Sequence, residues 1–66
     1  MKIEATWDDR LRRFKYHIPG VAGFVTSDRA TTSILSSTPA LVREVKAIAS
    51  SSGVKLPDQW ELSIRR

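Results

Sequence analysis

Apolar residues recur at every second position from Met1 to Trp7, with Met1, Ile3, Ala5 and Trp7 on one side and Lys2, Glu4 and Thr6 on the other. That period belongs to a half-buried strand, and a first strand is expected over Met1–Trp7. Asp8-Asp9-Arg10 breaks the alternation. Adjacent carboxylates that accept bonds from nearby backbone N–H groups suit a hairpin turn. A second strand is expected from about Leu11 to Ile18, with Phe14, Tyr16 and Ile18 toward a core and Arg13, Lys15 and His17 on the opposite face. Pro19-Gly20 ends it, because proline has no N–H for the ladder and glycine tolerates positive φ. A third strand is expected over about Gly23 to Ser27, with Phe24 on the core side and Gly23 marking a close approach or a bulge.

Ser27 through Thr32 is a polar connection rich in residues that cap helix N-termini. Ile34, Leu35, Thr38, Leu41, Val42, Val45, Ile48 and Ala49 then form one helical stripe that runs to Ser50-Ser51-Ser52-Gly53. Pro39 lies inside the stripe. It predicts either a kink or a fresh helix start with Thr38 as N-cap and Pro39 at the first helical position. From Gln59 to Arg65 alternation returns, with Trp60, Leu62 and Ile64 inward. The pattern as a whole predicts an α+β fold, an antiparallel sheet in β-β-β-α-β order with one helix packed on one face.

Length narrows this to a single domain over residues 1–66. A chain of this size hides only ~60% of its unfolded surface, so the core is thin and a homodimer is expected. Cysteine is absent, which leaves neither disulfides nor a zinc staple, and no cofactor is expected. The first residues lack the apolar run of a signal peptide, and no stretch reaches the ~20 apolar residues of a membrane span. A cytoplasmic location without a membrane partner is the expectation.

Eleven Lys and Arg against seven Asp and Glu give +4, a balance that invites a nucleic-acid reading. The charges are evenly spread, however. Residues 1–33 carry six basic and four acidic groups and residues 34–66 carry five and three, so neither half is a basic arm. Only Arg10-Leu11-Arg12-Arg13-Phe14-Lys15 is locally dense. Arg10, Arg12, Arg13, Lys15 and His17 are therefore the candidate partner-binding residues. An RNA-reading sheet sets its stacking aromatics on the open face, whereas Phe14 and Tyr16 are expected in the core, so a protein partner is favoured over nucleic acid.

Catalytic motifs do not stand out. His17 is the sole histidine and has no acidic or nucleophilic neighbour in sequence. Asp8, Asp9 and Asp28 fall in two polar turns without the spacing of a calcium loop. The serines lack a G-x-S-x-G elbow. No catalytic or metal-binding residue is expected, and the chain is read as a non-enzyme. Trp7, Phe14, Tyr16, Phe24 and Trp60 are read as core rather than as the lining of a ligand pocket.

Ile3-x-Ala5-x-Trp7-Asp8-Asp9, then Phe14, then Pro19-Gly20-Val21-Ala22-Gly23-Phe24-Val25-Thr26, then a Thr-rich helix start, resembles the HicB-like antitoxin domain family over roughly the first fifty residues. That family carries a W-D-E turn, an aromatic in the second strand and a P-D-L-P-G-hydrophobic-hydrophobic-T segment before the helix. Asp8 and Asp9 match the acidic turn, and Pro19, Gly23 and Thr26 match the second motif, while Gly20 and Ala22 stand where the family has Asp and a second Pro. The resemblance implies a HicB-like module that binds and neutralises a small ribonuclease toxin, here expected without the DNA-binding domain of the two-domain members. The alternative is a small inhibitor from a mobile element, of anti-CRISPR type, that blocks a defence nuclease complex or another nucleic-acid-handling complex through its basic face.

Overall fold

Alternation at the N-terminus becomes strand β1 (Lys2–Asp8) in the computed structural model, which describes residues 1–66. A hairpin leads to β2 (Arg13–His17), paired antiparallel with Ala5 opposite Tyr16 and Trp7 opposite Phe14. Asp8 Oδ1 shapes the turn by accepting the backbone N–H groups of Arg10 and Leu11, both at 2.9 Å. Arg12 closes it at a φ of 56°, a left-handed conformation unusual for a residue with a Cβ.

Ile18-Pro19-Gly20-Val21 then reverses the chain. Val21 N–H donates to Ile18 O at 3.0 Å and Gly20 has a φ of 94°, the arrangement of a type II turn with Pro and Gly at its centre. Only two residues then pair with β2 as β3 (Val25–Thr26), Val25 lying opposite Tyr16. The expected third strand was longer and placed Phe24 in the core. Instead Phe24 is 61% exposed. Gly23, at a φ of 69°, shifts the alternation by one position, so Val25 takes the inward place.

The single helix α1 (Thr38–Ser51) begins afresh at the proline. Ser37 is its N-cap, one residue before the expected Thr38, and Ser37 Oγ accepts the Ala40 N–H at 3.3 Å. Pro39 thus sits in the first turn, where a missing N–H costs no helical bond. Ile34 and Leu35, expected in the helical stripe, lie outside it and are 38% and 86% exposed. A helix running through them would set the Pro39 ring against the carbonyl of Leu35. Serines hold that segment in a turn: Ser33 N–H donates to Ser36 Oγ at 2.7 Å and Ser36 N–H to Ser33 O at 3.0 Å. At the other end Val54 N–H donates to Ala49 O and Gly53 N–H to Ser50 O, at 2.9 and 3.2 Å, with Gly53 at a φ of 72°. This is a Schellman cap, and it brings Val54 against Ala49.

β4 (Glu61–Arg65) completes a sheet ordered β3-β2-β1-β4. It runs parallel to β1, with Ile3 opposite Leu62 and Ala5 opposite Ile64. The sheet is therefore mixed, which corrects the expected uniformly antiparallel one. Hairpins keep β1 to β3 antiparallel, but the chain leaves β3 at one edge and α1 carries it to the far side of β1, the kind of crossover that parallel pairing needs. Between sheet and helix lies the core. Ile3, Ala5, Phe14, Tyr16, Ile18, Leu41 and Val45 are wholly buried, and each large one contributes about 1.5–3 kcal/mol. Trp7, Trp60, Leu62 and Ile64 pack round it half-buried. No helix is long and apolar enough to cross a membrane.

Candidate functional site

Strand alternation sends every second residue to the sheet face away from α1, and pairing sets those residues in rows. Thr6 lies between Lys15 of β2 and Arg65 of β4, and Glu4 between His17 and Ser63. Asp8 stands opposite Arg13, and Lys2 opposite Glu61. Cations and carboxylates therefore interleave, and the face is not the single-sign field that phosphate binding favours.

Phe24, just before the edge strand β3, is the large exposed apolar residue at one margin of this face. Lys15 Nζ lies 5.0 Å from its ring centroid, and the His17 ring stands 5.7 Å away at 57°. Lys15 also reaches Asp8 Oδ2 at 3.4 Å. The Asp8 carboxyl is held below its ordinary range, chiefly by the Leu11 backbone N–H, with Lys15 and the Arg10 N–H adding to it and partial burial opposing. It thus stays ionised beneath Lys15. The structure brings Lys15 and His17 together with Phe24 on one face, and Arg13 enters that face at the start of β2. Arg10 and Arg12 are not part of the cluster. They occupy the hairpin turn, where Arg12 Nη1 meets Asp9 Oδ1 at 3.4 Å with side chains 67% and 85% exposed, a pairing of little energetic consequence.

Sequence reasoning missed Phe24 and Arg65 as members of this surface. The signal for Phe24 was Gly23, a candidate bulge position, because a bulge inverts the facing of the residues after it. Arg65 carried none, since its row depends on β4 joining β1.

At the β3 edge of the sheet, β3, residues 27–32 and α1 border an open cleft of about 800 Å³ lined in part by Arg13, Thr26, Arg43 and Ile48. Its inner polar groups already serve the fold. Phe14 N–H donates to Ser27 Oγ at 3.1 Å, Ser27 Oγ and Thr32 Oγ1 are 2.7 Å apart, and Thr32 Oγ1 donates to Asp28 O at 2.9 Å. Counting protons sets the direction: Thr32 gives its hydrogen to Asp28 O, so Ser27 donates to Thr32. No buried side-chain polar atom lacks a partner, and no group of three or more His, Cys, Asp or Glu side chains is placed to hold a metal ion. No protein-family model, no curated protein and no solved structure matches this chain.

Proposed function

We propose that this chain is a non-enzymatic protein-binding module of the HicB-like antitoxin kind, which binds and neutralises a small ribonuclease toxin through its outer sheet face. The observation that carries the contact surface is Phe24, 61% exposed yet held between Lys15 and His17. An exposed aromatic ring packed against β2 side chains is the kind of residue that is enriched at protein interfaces. The carboxylates of Glu4, Asp8 and Glu61 among the cations suit a protein surface of mixed charge. The choice of a toxin as partner rests on the family resemblance alone.

Phe24 also favours the second reading, an inhibitor that occupies a nucleic-acid-handling complex. An exposed ring beside Lys15, with Arg13 and His17 on the same face, is what a base stacks on.

Affinity capture from a host lysate, with and without nuclease treatment, compares the wild type with Phe24→Ala and Lys15→Glu, and the captured protein's ribonuclease activity is then assayed with and without the chain. The antitoxin reading expects a small ribonuclease, retained after nuclease treatment, lost in both variants and inhibited by the wild type. Capture of a large ribonucleoprotein overturns it in favour of the second, and capture of nucleic acid alone overturns both.

A further inference from the structure

β4 is an edge strand, and no other strand of the chain pairs with its second edge. In its parallel ladder with β1, Glu61 N–H donates to Met1 O at 3.0 Å. Alternate residues of such a strand turn both backbone groups to the partner. Glu61, Ser63 and Arg65 therefore serve β1, and Leu62 and Ile64 point their N–H and C=O groups at the open edge. Unpaired edges of this length invite another strand.

Glu61-Leu62-Ser63-Ile64-Arg65 is complementary to itself when reversed. Antiparallel pairing about Ser63 sets Leu62 opposite Ile64 of a second copy, twice over, and these are the residues with free backbone groups. On the outer face it sets Glu61 opposite Arg65 of the second copy, also twice. A shift of one residue would put outward side chains opposite inward ones. Centring on Leu62 or on Ile64 keeps the faces but loses both opposite-charge pairs. Near Arg65, Arg66 donates to Ile34 O at 2.9 Å and to Ser36 O at 2.6 Å, which holds the exposed Ile34-Leu35 turn beside the end of β4. The same register brings Trp60 of the second copy opposite Arg66, next to that turn.

We infer that β4 is the interface of a two-fold homodimer, joined antiparallel about Ser63 into one eight-stranded sheet with both helices on the same side. Such an interface is isologous and closed, so it buries both free edges without building a filament. It stands on the β4 edge alone and is independent of what the outer face binds.

Sedimentation equilibrium across micromolar concentrations, with circular dichroism to check the fold, tests it. The wild type is expected at twice the 7.4 kDa chain mass. Arg65→Glu faces only Thr6 within the chain, so the fold is kept while two attractive pairs across the dimer become repulsive. Roughly tenfold weaker association, or more, is expected. Ser63→Lys, which gains Glu4 as a neighbour within the chain, sets two like charges on the two-fold axis and is expected to dissociate the dimer too. Glu61→Arg combined with Arg65→Glu restores the pairing. A monomeric wild type at 100-fold the expected ~1 μM range of a stable pair, or a dimer indifferent to both Arg65→Glu and Ser63→Lys, overturns the assignment.

Discussion

The Tyr16 hydroxyl donates to Glu44 Oε1 at 2.7 Å, joining the middle of β2 to the middle of α1. Glu44 Oε2 accepts the Asp28 N–H at 3.1 Å and the Thr31 hydroxyl at 3.0 Å. One carboxylate thus ties a strand, the helix and the connection between them. Where the thin core alone would leave the 28–32 segment loosely held, these bonds fix its place.

The same contact makes the fold sensitive to alkali. Burial first, and the Glu44 carboxylate second, push the Tyr16 phenol well above its ordinary value of 10.0. The unfolded chain gives up this proton near pH 10 while the folded chain keeps it, so the folded state binds more protons there and stability falls as pH rises. Below pH 10 the contribution is fully present. Urea midpoints are expected to drop more steeply above pH 10 in the wild type than in Tyr16→Phe, which at pH 7 costs about 1 kcal/mol for the lost hydrogen bond. Equal slopes between pH 9.5 and 11 would contradict the role given to the phenol.

Ser27 is 1% exposed and continues the sheet with its side chain, taking the Phe14 N–H where the short β3 has run out. Ser27→Ala leaves that buried donor without a partner and should cost about 1–3 kcal/mol. Thr32→Val strands the Ser27 hydrogen in turn. Because both changes break one relay, the double variant is expected to lose less than the two single losses combined, a coupling measurable by a double-mutant cycle in urea.

Arg12 carries the only positive φ outside glycine, and its ion pair with Asp9 is exposed. Arg12→Gly removes the left-handed strain, so the hairpin should gain about 1 kcal/mol. In a domain of this size that raises Tm by roughly 4–8 °C. A lower Tm in differential scanning calorimetry would show that the Arg12 side chain matters more than its backbone.

Phe24→Ala separates binding from folding. The ring contributes an exposed cation–π contact with Lys15 and little burial, so the loss of stability should stay under about 1 kcal/mol. Partner capture should nevertheless disappear. A large drop in Tm would instead make Phe24 a structural residue and remove it from the interaction surface.

Much of this architecture was readable from local pattern. Alternation located β1, β2 and β4, since a side-chain period of two survives whatever lies across the strand. Pro19-Gly20 and Gly53 marked a turn and a helix end through their own backbone preferences. Pro39 told of either a kink or a new helix start with Thr38 as cap; the structure takes the new start and moves the cap to Ser37. Arg10, Arg12, Arg13, Lys15 and His17 drew notice as one basic set because they are close in sequence, and proximity in sequence does not report facing. The turn separated the first two from the rest.

Sequence by itself determined which residues could face together along each strand and where the chain had to bend, because φ/ψ preferences and side-chain period are properties of neighbours. Tertiary structure alone decided that β4 lies parallel to β1, that Arg65 shares a row with Lys15 across Thr6, and that Phe24 faces out. Those outcomes depend on which strand edge remains free after the hairpins close and on how a crossover helix covers one face. Both are decided by burial summed over the whole chain, which no short stretch contains.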